Sequence, residues 1–93
     1  MRILQSRPFK NAVKRLHANQ KKALDVAVRA IVKDPDIGEP KVGDLSGVRV
    51  YKFKMVGQLM LLAYEHDDES VTLFLLALGS HENFYRDLKQ SRD

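Results

Sequence analysis

The spacing of apolar residues changes period midway along the chain, and that change limits the folds open to it. Leu24, Ala27, Val28 and Ile31 recur at i, i+3, i+4 and i+7, the stripe of an amphipathic helix. Phe9, Val13 and Leu16 set a shorter helix before it, over residues 7–18. Ser6 is its natural N-cap, Pro8 is tolerated in its first turn, and Asn19 is a cap candidate for the helix that follows. Pro35 disfavours a helical residue before it, so the second helix should stop at Lys33 or Asp34. Residues 34–47 read as a loop punctuated by Pro35, Gly38, Pro40, Gly43 and Gly47. From Val48 the period is two. Val48, Val50, Lys52 and Lys54 point one way, and Arg49, Tyr51 and Phe53 the other. Gly57 marks a turn. Residues 58–64 and 71–78 are apolar runs of strand length, separated by the acidic turn Asp67-Asp68-Glu69-Ser70.

With residues 3–5 as a short edge strand and 81–90 as a final helix, the order is strand, helix, helix, three strands, helix. Short connections make the last three strands an antiparallel meander. The expected fold class is therefore α+β: two N-terminal helices on one face of a mostly antiparallel four-stranded sheet (βααβββ), with a short C-terminal helix.

The chain has 93 residues, enough for one domain over 1–93 and one modest core. A chain of this size buries about 60–65% of its unfolded surface. There is no cysteine, so no disulfide framework and no thiolate metal site. The first residues lack the apolar stretch of a signal peptide, and the longest apolar run, 71–78, is too short to span a bilayer. A cytoplasmic protein without membrane contact is expected. The net charge of +4 is unevenly spread. Residues 1–33 hold nine Lys/Arg against one acid, Asp25, a local charge of +8; residues 34–93 hold seven against eleven acids, −4. A basic helical half suits nucleic acid or an acidic protein, although solvated helix lysines give the same count.

The densest chemistry follows the last strand, in Gly79-Ser80-His81-Glu82-Asn83-Phe84-Tyr85-Arg86-Asp87-Leu88. On a helix capped by Ser80, His81 and Tyr85 share a face, and Glu82 and Arg86 form a second i,i+4 pair. Cleaving RNA requires a base for the 2′-hydroxyl proton, an acid for the leaving 5′-oxygen and cations around the phosphorane. His81 suits proton transfer near neutral pH. Tyr85 can donate a proton or stack on a base. Arg49, Lys52, Lys54 and Arg86 supply charge. The same side chains have plainer readings: His81 as a first-turn surface residue, Tyr85 as packing for the helix, Lys52 and Lys54 as solvated strand lysines, Glu82 and Arg86 as a surface pair. His17 and His66 receive no chemistry. No His/Asp/Glu spacing reads as a metal site and no glycine-rich phosphate loop is present, so no cofactor is expected.

Two helices, then Asp44-Leu45-Ser46-Gly47-Val48-Arg49, then three strands closing in Leu78-Gly79-Ser80-His81 and Phe84-Tyr85, resemble the RelE/ParE superfamily of bacterial type II toxins over nearly the whole chain. Leu45, Gly47 and Arg49 match the family's entry to the second strand. Gly79 and His81 resemble the strand exit of the YafQ toxin, and residues 82–89 look like those of a ParE-like subgroup. The chain differs from many members after the turn glycine, where Gly57-Gln58-Leu59-Met60-Leu61 carries no arginine. The resemblance implies a toxin held inactive by a cognate antitoxin. In the RelE-like branch the toxin is a metal-independent mRNA endoribonuclease that works at the ribosome and inhibits translation. In the ParE branch it inhibits DNA gyrase by protein–protein binding. It further implies Arg49 at phosphate, Lys52 and Lys54 as the basic strand residues, His81 as the candidate acid, and Tyr85 as the terminal aromatic.

Overall fold

Ser6 ends the first strand and starts the first helix. Its backbone is extended, with φ −71° and ψ 164°, and its Oγ accepts a hydrogen bond from the Phe9 N–H at 3.1 Å. The same hydroxyl donates to the Leu76 carbonyl and so pins the helix start to the last strand. In the computed structural model, which describes residues 1–80, 84, 85 and 88, the elements are β1 (Arg2–Gln5), α1 (Arg7–Lys14), α2 (Ala18–Lys33), β2 (Glu39–Pro40), a 3₁₀ turn (Gly43–Leu45), β3 (Arg49–Met55), β4 (Gln58–Asp67) and β5 (Thr72–Gly79). Helix α1 is shorter than its apolar spacing predicts. The N–H groups of Arg15 and Leu16 reach the carbonyls of Ala12 and Val13, and this tighter turn closes the helix. His17, not Asn19, then takes the N-cap position of α2, extended at φ −77° and ψ 167°. Its N–H donates to Gln20 Oε1 at 2.7 Å, so the cap is made from three residues on. Helix α2 ends at Lys33, before Pro35, as the proline requires.

The sheet has five strands in the order β1-β5-β4-β3-β2, not four. The extra strand, β2, pairs Glu39 with Val50 and Pro40 with Arg49. A two-residue strand has no alternation to detect, and Pro40 is tolerated because β2 lies at the edge. Strands β3, β4 and β5 form the expected antiparallel meander, whereas β1 runs parallel to β5, so the sheet is mixed.

Pleating sends alternate side chains to two faces. On one, Phe9, Leu24 and Ile31 of the helices pack with Met60, Leu62, Tyr64, Leu73, Leu75 and Leu78. On the other, Val48, Val50, Leu61, Ala63 and Ala77 pack beneath Phe84 and Leu88. Each buried large apolar side chain contributes about 1.5–3 kcal/mol relative to exposure. Strand β5 carries a bulge: Ala63 faces Ala77 but Tyr64 faces Leu75, leaving Leu76 as the extra residue. The bulge lets both Leu75 and Leu78 reach the helix side. Phe84, Tyr85 and Leu88 are helical; the rest of the expected terminal helix lies outside the described residues. Among the described residues, no helix is long and apolar enough to cross a membrane.

Candidate functional site

Strand β3 divides its cations by parity. Lys52 and Lys54 follow Val50 on the face opposite the helices, and both are exposed. Successive side chains on one face of a strand are about 7 Å apart, so the two ammonium groups present a short cationic row. Among the described residues, neither lysine is ion-paired with an acid. The ladder sets Lys52 opposite Leu61 and Leu61 opposite Gly79. Neighbouring strands lie about 4.8 Å apart, so Lys52 and Gly79 are separated by about 10 Å of backbone, with one strand between them. Lys54 lies opposite Leu59, which is 49% exposed, so the open end of this face combines two cations with an apolar side chain.

Arg49 belongs elsewhere. It faces Tyr64 across the ladder, on the helix side and at the other end of β3. Its Nη1 donates to the carbonyls of Asp36 at 3.1 Å and Gly38 at 2.8 Å, and its Nη2 lies 3.4 Å from Asp36 Oδ1. The phenol of Tyr64, fully buried, donates to the Pro35 carbonyl at 2.6 Å and accepts from the Gly38 N–H at 2.9 Å. Burial pushes the Tyr64 hydroxyl above its ordinary pKa, partly offset by the Gly38 hydrogen bond and the Arg49 charge. A Cβ on Gly38 would meet the Tyr64 ring and oxygen at 2.8 Å, so the close approach itself demands glycine. Arg49 and Tyr64 thus clamp the loop that leaves α2, and the guanidinium expected at phosphate is occupied by that loop.

Tyr85 lies on the same face as the lysine row, packed against the core that contains Val50 and Leu61. Its ring meets Phe84 edge-on, with centroids 5.2 Å apart, and the Lys41 ammonium lies 5.9 Å from its centroid. The Lys41 N–H bonds the Val48 carbonyl, and its Nζ lies 3.8 Å from Glu39 Oε2. Lys41 of this cluster therefore sits at the β2 edge of the face. Of the six residues expected in one site, Lys52, Lys54 and Tyr85 share one face of the sheet, whereas Arg49 lies on the other. His81 and Arg86 lie outside the described residues; by sequence, His81 is two residues beyond Gly79. Lys41 escaped sequence reasoning because it lies in a loop rich in proline and glycine. Its one signal was its place directly after Pro40.

A family model described as "ParE-like toxin of type II bacterial toxin-antitoxin system" matches residues 3–89. No curated protein matches the sequence. Among solved structures, a double arginine-to-alanine mutant of the Escherichia coli toxin RelE in the free state superposes with a TM-score of 0.72 at 16% identity, covering 97% of this chain and 90% of that one. The chain is similar to the intact E. coli RelBE toxin–antitoxin complex, with a TM-score of 0.70, 18% identity and coverage of 87% and 96%. It is similar again to the RelBE2 complex of Mycobacterium tuberculosis, at 0.66, 18%, 86% and 96%. At these identities the likeness shows a RelE-like fold. The family model spans almost the whole sequence, and the chain belongs to the ParE-like toxins of bacterial type II toxin–antitoxin systems.

Proposed function

We propose that this toxin is a metal-independent mRNA endoribonuclease that inhibits translation at the ribosome in the cytoplasm. One observation carries the reading: Lys52 and Lys54, exposed side by side, lie one strand away from the Gly79-Ser80 exit that leads into His81. In the proposed reaction the 2′-hydroxyl loses its proton and its oxygen attacks the adjacent phosphorus. The bond to the 5′-oxygen breaks, that oxygen takes up a proton, and a 2′,3′-cyclic phosphate remains. Lys52 and Lys54 stabilise charge on the phosphorane. His81 moves a proton and Arg86 adds a further cation, both assigned from sequence position alone. Arg49 drops out of the proposed machinery, because it holds a loop, and Tyr85, on the lysines' face, is kept for base stacking or proton donation.

The proposed partner is a cognate antitoxin. Structurally similar RelE proteins are found in complex with RelB, and the +8 charge of residues 1–33 suits an acidic segment. The separation of Arg49 from the lysines favours a second reading, a ParE-type inhibitor of DNA gyrase that acts by protein–protein binding. One experiment separates the two. Wild type, His81→Ala and the Lys52→Ala/Lys54→Ala pair are added to a translating extract, and mRNA integrity and gyrase supercoiling are followed. Cleaved mRNA with wild type, and a loss of about 10²-fold or more in rate with either variant, is the expected result. Intact mRNA with arrested supercoiling replaces the ribonuclease with the gyrase inhibitor.

A further inference from the structure

Strand β5 runs on past its neighbour. The β1–β5 ladder ends at the Gln5–Leu75 pair, and β5 continues to Gly79, so among the described residues no strand lies outside it from Ala77 onward. Helix α1 crosses this end, and between helix and strand lies a groove of about 410 Å³. Apolar side chains of Pro8, Leu16, Met60 and Leu78 line about half of it and polar groups the rest, with the exposed side chains of Asn11 and Arg15 at its mouth. Met60 stands beside Leu61 near the start of β4, and Gly79 ends the row that starts at Lys52. The groove and the lysine row therefore share one end of the sheet on opposite faces, with Gly79 and Ser80 on the rim between them.

We infer that this groove holds one unstacked base of single-stranded RNA, that the strand passes over the Gly79–Ser80 rim so that a phosphate one or two nucleotides along lies on Lys52 and Lys54, and that Asn11 and Arg15 select the base. The inference rests on the ribonuclease reading and extends it to substrate choice. A nucleobase is a flat ring with apolar faces and a polar edge. It needs apolar walls with a few donors and acceptors at the mouth, and a cavity of a few hundred Å³. The Asn11 amide offers both donor and acceptor, and Arg15, whose Nε donates to the Asn11 carbonyl at 3.3 Å, adds its terminal N–H donors. Charge complementarity fits an RNA occupant as it fits an acidic antitoxin segment: residues 1–24 contain seven Lys/Arg and no acid, and Arg7, Lys10, Lys14 and Arg15 all lie on or just after α1 beside the groove.

The test uses the full chain and four labelled homopolymeric RNA tetranucleotides, with affinity measured across a salt series. Wild type is expected to rank the four with a spread of about 10-fold. Asn11→Trp, which fills the groove from an exposed helix position, should collapse that spread while the salt dependence stays. Arg15→Ala should reduce the spread part-way. Lys52→Ala/Lys54→Ala should keep the ranking and reduce the salt slope by about 1.4, or about 0.7 for each phosphate no longer neutralised. A folded Asn11→Trp that keeps the wild-type ranking and the wild-type cleavage sites overturns the groove assignment and leaves the ribonuclease intact. An Asn11→Trp that escapes its antitoxin with base preference unchanged assigns the groove to the protein partner instead. Wild type that neither binds nor cuts RNA removes the ribonuclease and the groove together.

Discussion

At the scale of single residues, Tyr64 and Arg49 decide how the loop after α2 is held. The phenol satisfies two backbone groups, the carbonyl of Pro35 and the N–H of Gly38. The guanidinium binds two more carbonyls. Arg49→Ala should therefore lower the urea midpoint, by about 1–3 kcal/mol if the loop carbonyls find no replacement, yet leave the salt slope of RNA binding unchanged. A lowered salt slope with unchanged stability would return Arg49 to the phosphate. The Tyr64 hydroxyl gives a pH signature. Its folded pKa is raised above the ordinary 10.0, so its contribution is complete below that value and is lost as pH rises through the folded pKa. The wild-type urea midpoint should fall above about pH 10 more steeply than that of Tyr64→Phe; parallel curves would remove the tyrosine from the alkaline limb. The parity separating Arg49 from the lysines was legible, since residues 49 and 52 point opposite ways on any strand. The occupation of its guanidinium was not, because the loop carbonyls that bind it carry no mark in the sequence.

At the scale of elements, the β3–β4 hairpin turns through Val56 and Gly57, with φ of 50° and 84°. Two residues of positive φ are what a tight hairpin needs, but valine is β-branched and strained there. Val56 is 60% exposed, so it gains little from packing in return. Val56→Asn should stabilise the protein by about 1 kcal/mol, read as a rise of about 4–8 °C in Tm. A fall in Tm would mean that the valine makes a compensating contact. Where the sequence has a period, the elements were readable: the α2 stripe, the β3 alternation and the proline stop at Lys33 all appear as expected. Three features lack a period. Strand β2 is two residues long, the β5 bulge resets the alternation, and α2 is capped by a glutamine three residues into the helix rather than by the residue before it.

At the scale of the whole molecule, one sheet separates two cores. The helices cover one face, and Phe84 with Leu88 cover part of the other. Both cores draw on the same strands, so neither can melt alone. Leu88 is fully buried, and Leu88→Ala should cost about 2–5 kcal/mol in urea. Circular dichroism and tyrosine fluorescence should still report one transition; two separate transitions would show that the faces unfold independently. The candidate site divides along the same plane. Its strand lysines were visible in the alternation, whereas the groove between α1 and β5 was not. It is built by the crossing of two elements from opposite ends of the sequence, and no local pattern encodes such a crossing.

The parallel pairing of the first strand with the last has a consequence for how the toxin is made. Arg2 takes its register from Thr72, 70 residues further on, so β1 waits for that much chain before it has anything to pair with. Closing so long a loop is slow, and only a chain synthesised as far as β5 contains the strand that closes it. Synthesis itself thus sets a delay between the appearance of β1 and the first folded toxin molecule.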